Sequence, residues 1–148
     1  MTITTAQHLL DKKGSDVWSV SPQDTVYYAL CTMSDKNVGA LPVLNDGKLI
    51  GIISERDYAR NVVLKGKSSR DTKVKDMMTP RVLYVEPDET VANCMLIMTE
   101  KRIRHLPVID NNRLRGIISI GDVVSKIISQ QQSTIDELEK YISGTGYY

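Results

Sequence analysis

Apolar positions along this chain change rhythm in a fixed order, and the order occurs twice. The largely apolar stretch VWSV (Val17 to Val20) reads as a short strand, and VLYV (Val82 to Val85) repeats it. A proline turn follows each, SPQDTV or EPDETV, with Asp24/Thr25 and Glu89/Thr90 as helix caps. The spacing then becomes helical: Val26, Ala29, Leu30 and Met33 in one copy, Val91, Met95 and Met98 in the other. ALPVL and HLPVI read as strands, with Pro42 and Pro107 expected at a strand start or edge because they lack an amide donor. NDGK and DNNR predict tight turns. LIGIIS and LRGIIS are the returning strands, and Ser54 and Ser119 open the next helices.

Shifting the chain against itself by 65 residues aligns Val17–Val63 with Val82–Ile128 without a gap, and about a third of the positions are identical. The chain is therefore a duplicated β-α-β-β-α unit of α+β (α/β-type) class. Each copy has little apolar surface of its own, so two copies packed sheet to sheet about a pseudo-twofold axis are expected to share one core. The units span 6–68 and 69–130, joined through the polar stretch 65–76, and 131–148 forms a helical extension and tail. Thr4/Thr5 would cap a short helix through Ala6, Leu9 and Leu10. At the other end Ile128, Ile135 and Ile142 recur every seven residues with Leu138 between, a stripe for a partner subunit or for the chain's own core. The last residues, GTGYY, read as a tail.

Composition narrows the function classes. A net charge of +1 argues against a nucleic-acid partner, and no apolar run approaches the roughly 20 residues that span a bilayer. The stretch from Met1 to Gly14 lacks the features of a signal peptide, which with two unclustered cysteines, Cys31 and Cys94, predicts a reduced, cytoplasmic protein. No nucleophile–base pair, phosphate-cradling loop or metal-ligand cluster is legible, so no catalytic residue, metal or catalytic cofactor is assigned, and His105 has no partners for a metal.

The repeated GIISERD (Gly51–Asp57) and GIISIGD (Gly116–Asp122) carry the candidate chemistry. Ser followed by Asp three residues on is a capping box at a helix start. Two matched copies across a shared core also suit binding. A carboxylate accepts both hydroxyls of a cis-diol, making Asp57 and Asp122 candidate ribose readers, and a helix N-terminus offers amides to a phosphate beside the hydroxyl of Ser54 or Ser119.

Two such copies, with LPVL or LPVI, a turn and then GII-S-x-x-D, resemble a tandem pair of CBS domains, the cystathionine-β-synthase-type regulatory module, from about residue 6 to about 129. The resemblance implies two clefts between the copies that bind AMP, ADP, ATP, NAD(H) or S-adenosylmethionine, and a disc-like homodimer. It implies an adenine slot at Ile117 with Val17, Trp18, Val38, Gly39 and Ala40 for the Asp122 cleft. For the Asp57 cleft it implies Ile52 with Val82, Leu83, Ile103, Arg104 and His105. Arg104, then His105 and Arg56, are implied phosphate contacts; Trp18 also fits a core position. The function so implied is a non-enzymatic sensor of adenine nucleotides, AMP-type first and NAD(H) second, acting on an effector protein in trans. The alternative is a dimeric scaffold without ligand.

Overall fold

The computed structural model describes residues 3–14 and 16–143, with side chains placed through Glu139; the tail GTGYY and the side chain of Ile142 lie outside them. Helix α1 (Ala6–Lys13) precedes the first unit, α2 (Val26–Lys36), β1 (Ala40–Asn45), β2 (Lys48–Ser54) and α3 (Glu55–Tyr58). A π-helical turn, Ala59–Val63, extends α3. The second unit is α4 (Val91–Lys101), β3 (His105–Asp110), β4 (Arg113–Ser119) and the long α5 (Ile120–Ser143). Thr25 and Thr90 cap α2 and α4, each hydroxyl accepting an amide three residues on at 3.1 Å. Thr5 stands at the N-cap of α1, where its amide donates to His8 Nδ1 at 3.0 Å.

Each unit holds one two-stranded antiparallel hairpin, β1–β2 and β3–β4. Asn45 pairs with Lys48 and Asp110 with Arg113, leaving two-residue turns. Both central residues have positive φ, Asp46 (51°) and Gly47 (79°) in one, Asn111 (50°) and Asn112 (63°) in the other. That is the turn whose twist matches a hairpin.

The strands expected at VWSV and VLYV shrink to one residue each. Val20 bridges Val43 in parallel, and Val85 bridges Val108. The Val20 amide donates to the Pro42 carbonyl (3.1 Å), and the Leu44 amide donates to the Val20 carbonyl (2.9 Å). The next rung of a parallel ladder would run from the amide of residue 42 to the carbonyl of residue 18, and proline has no amide. Pro107 stops the second copy in the same way. Both prolines lie inside their strands, which is tolerated because every strand of a two-stranded sheet is an edge.

The single shared core is also corrected. Buried side chains of the described residues form two clusters, one per hairpin. Val26, Met33, Leu41, Val43 and Ile53 centre one; Val91, Met98, Leu106, Val108 and Ile118 centre the other. Each hairpin's inner face is covered by its own helices, with β2 and β4 in contact between the units.

The missing cover is exchanged. Helix α1, at the start of the first unit, buries Ala6, Leu9 and Leu10 in the second cluster. Its backbone is tied there by Ala6 N–H to Glu89 O (2.8 Å) and Gln7 N–H to Pro87 O (2.9 Å). Reciprocally, Val74 from the stretch expected as a linker, and Met77 just after it, enter the first cluster, with Val74 N–H donating to Asp24 O (2.8 Å). The repeated glycine before II is where these segments press on the hairpins. A Cβ on Gly51 would stand 2.5 Å from Met78 Sδ and 3.1 Å from Thr79 O; one on Gly116 would stand 2.8 Å from Leu10 Cδ2.

Helix α5 runs on from the second unit, and Gln130 donates to Thr4 Oγ1 beside α1. Along this helix Ile128, Ile135 and Leu138 are about half exposed, so the described part of the heptad stripe does not pack on the chain's own core.

Candidate functional site

Both Ser-x-x-Asp corners lie at the end of a returning strand, and each opens into its own cleft. The serines do cap. The Asp57 amide donates to Ser54 Oγ (3.2 Å) and the Asp122 amide to Ser119 Oγ (3.1 Å). The acids then differ. Asp122 closes the capping box, its Oδ2 accepting from the Ser119 amide at 2.8 Å, whereas Asp57 Oδ2 accepts from the Ser54 hydroxyl at 2.9 Å.

The helix starts have fewer free amides than the sequence suggests. Glu55 N–H donates to Gly39 O (3.2 Å) and Ile120 N–H to Arg104 O (2.8 Å). With Asp57 and Asp122 also engaged, the amides of Arg56 and Gly121 are the ones left near the first turn.

The Asp122 cleft encloses about 450 Å³. The second unit supplies Ile117, Ser119, Asp122 and His105; the first supplies Val17, Trp18, Val38, Gly39 and Ala40. All the residues expected here line one space. Trp18 is 39% exposed, so the core alternative for it does not hold, and Lys36 Nζ sits 4.0 Å from its ring centroid.

The Asp57 cleft encloses about 610 Å³ and gathers Ile52, Ser54, Arg56 and Asp57 with Ile103, Arg104 and His105. Val82 and Leu83, expected here, do not line it; Leu83 is 45% exposed. Thr79 lines it instead, bridged to Ile52 by two backbone hydrogen bonds of 2.9 and 3.1 Å. Arg60 and Arg102 were not among the expected contacts. With Arg56 and Arg104 they make four arginines along a cleft whose acids are Glu55 and Asp57. Arg102 is the left-handed C-cap of α4 (φ 54°), and its carbonyl accepts from Arg56 Nη1 at 3.4 Å.

Sequence reasoning also missed Lys13. From the last residue of α1 its ammonium reaches the second unit, donating to Asp122 Oδ2 (2.8 Å) and to the Ile117 carbonyl (2.9 Å). No local signal announces a contact between residues more than a hundred apart. Burial pushes the Asp122 carboxyl up, but the Lys13 hydrogen bond, the Ser119 amide and the ammonium charge outweigh it and hold it below 3.8.

His105 borders both clefts, its Nε2 3.5 Å from where a Cβ on Gly39 would stand. Burial lowers its pKa below 6.5; Lys13 and Arg104 also lower it, against Asp122 and Asp57. A histidine more easily protonated in the unfolded chain makes stability complete above that chain's value and lost as pH falls below it. The midpoint of thermal unfolding is expected to drop from about pH 7 to about pH 5, and His105→Gln should flatten that slope. An unchanged slope in the variant would assign it to other groups.

Among the described residues no group of three or more His, Cys, Asp or Glu is placed to hold a metal ion, and no helix is long and apolar enough to cross a membrane. Cys31 and Cys94 are free thiols, and burial with the nearby Glu89 charge pushes Cys94 up to about 11.

A family model described as "CBS domain" matches residues 9–64 and again 74–129. The mitochondrial CBS domain-containing protein CBSX3 of Arabidopsis thaliana is 43% identical over 139 residues, which are 90% of this chain and 66% of that protein. The CBS domain-containing protein YhcV of Bacillus subtilis is 31% identical over 123 residues, 83% of this chain and 87% of its own. The solved structure of a putative signal-transduction protein with CBS domains from Burkholderia ambifaria is similar at a TM-score of 0.82, with 45% identity over 86% of this chain and 96% of that one.

Proposed function

Since the chain belongs to the CBS domain family, as two domains in tandem, we propose that it is a non-enzymatic sensor binding adenosine-containing nucleotides in its two clefts. AMP-type ligands come first and NAD(H), through its AMP half, second. One observation carries the reading: each Ser-x-x-Asp corner opens into a cleft walled by residues of both units. A ligand there touches both units at once, so its binding shifts how they pack. That shift is the signal, passed to an effector protein in trans.

Chemistry assigns the parts. Asp57 and Asp122 take the ribose hydroxyls, and Ile52 or Ile117 forms one wall for adenine. Trp18, Val38, Gly39 and Ala40 supply the facing wall in the Asp122 cleft. The four arginines around the Asp57 cleft favour a phosphorylated ligand over a cationic one such as S-adenosylmethionine. The free thiols suit the reducing cytoplasm. Two chains form a disc-like homodimer, for which the exposed Ile128, Ile135 and Leu138 are available. That same stripe favours the second reading, a dimeric scaffold without ligand.

A thermal-shift panel on pure protein with AMP, ADP, ATP, NAD, NADH and S-adenosylmethionine separates the two. A ligand at 100 times its Kd adds about 2.7 kcal/mol, which at this length raises the midpoint by roughly 5–10 °C. A rise with AMP-type nucleotides is the expected result. No rise with any ligand, in protein free of co-purified nucleotide, leaves the scaffold.

A further inference from the structure

We propose that Lys13 makes the Asp122 cleft selective for adenosine ligands that carry a negative charge, against neutral and cationic ones. This rests on the clefts being nucleotide sites and concerns what one of them accepts. The Lys13 ammonium already occupies the ribose-reading carboxylate, at 2.8 Å from Asp122 Oδ2, and its second partner is only the Ile117 carbonyl. The Asp122 side chain is partly buried, 24% exposed, and that of Lys13 is 37% exposed. A diol that takes over Asp122 must therefore displace the ammonium or share the carboxylate with it. Displaced from the carboxylate, the ammonium keeps one neutral acceptor and no counter-charge, and giving up a charge-assisted hydrogen bond is costly.

A ligand phosphate removes that cost, because it gives the ammonium a new anionic partner in the same event. Adenosine has no such group. S-adenosylmethionine brings a sulfonium cation towards an ammonium that it has itself deprived of a partner. The neighbouring cations do not substitute for Lys13. Lys36 lies over the Trp18 ring, and Arg115 is 3.6 Å from Asp110. The Asp57 cleft serves as an internal comparison, because the hydrogen bonds of Asp57 run to Ser54 rather than to a lysine.

The test isolates the Asp122 cleft in an Asp57→Ala protein, with Asp57→Asn as a second background, and measures AMP, adenosine and S-adenosylmethionine binding by calorimetry at low salt. AMP is expected to bind at least about 30-fold tighter than adenosine, with S-adenosylmethionine weakest. Adding Lys13→Met keeps the apolar stem and removes the charge, and should bring AMP and adenosine to within about threefold, mainly by tightening adenosine. Lys13→Arg should keep the discrimination. An unchanged ratio in Lys13→Met, or equal tightening of both ligands, would overturn the proposal, the latter making Lys13 a simple plug. Loss of all binding in wild-type protein is a separate result and removes the nucleotide reading itself.

Discussion

A protein carrying both Asp57→Ala and Asp122→Ala is expected to show no ligand-dependent rise in unfolding midpoint, where the wild type gains roughly 5–10 °C from a nucleotide at 100 times its Kd. Each alanine removes the acceptor for both ribose hydroxyls and leaves the capping serine in place, so the helix start should survive. The variants will not be equally benign without ligand. Asp57 is hydrogen-bonded to Ser54 alone, whereas Asp122 also pairs with Lys13, and its loss leaves that ammonium without a counter-charge. The quantity to compare is therefore the rise on adding ligand, not the midpoint itself. Single variants give the division between clefts: a rise surviving Asp122→Ala and lost in Asp57→Ala would locate the ligand among the four arginines. A full rise in the double variant would show that the carboxylates do not read the ribose.

Truncating the matched core leucines should have the other large effect. Leu41 and Leu106 are 1% and 0% exposed and occupy equivalent strand positions. Leucine to alanine at such a site removes apolar contact and leaves a cavity, costing about 2–5 kcal/mol each. At this chain length that is a drop of roughly 4–20 °C in the midpoint. The two sites belong to different clusters, so their costs in denaturant unfolding should add to within about 0.5 kcal/mol. A large departure from additivity would mean that the two cores behave as one.

Those two clusters mark where the sequence was readable and where it was not. The hairpins, their turns and the capping serines and threonines were legible because each depends on residues close together in the chain. Pro42 and Pro107 carried the information that the outer strands would be one residue long, but only once Val20 and Val85 were known to pair in parallel with β1 and β3. The Asp122 cleft was almost fully legible through the resemblance. The Asp57 cleft was less so, since Val82 and Leu83 gave way to Thr79, and Arg60 and Arg102 carry no motif. Lys13 was invisible, because its partners are set by where α1 packs and not by its neighbours in sequence. The polar composition of 65–76 likewise concealed that Val74 is core.

The crossed cover of α1 and the Val74–Met77 segment has a consequence for how copies of this chain can associate. Neither hydrophobic cluster is complete without a piece of chain that belongs, by sequence, to the other repeat. Nothing in those contacts specifies that the piece must come from the same molecule. If α1 of one chain docks on the second unit of another, every buried residue and backbone hydrogen bond is reproduced with no new interface to evolve. What favours the closed monomeric arrangement is the effective concentration set by a connection only a few residues long after Lys13. Lengthening or stiffening that connection would alter which chain α1 covers while leaving each fold intact, and would make this a protein open to domain swapping.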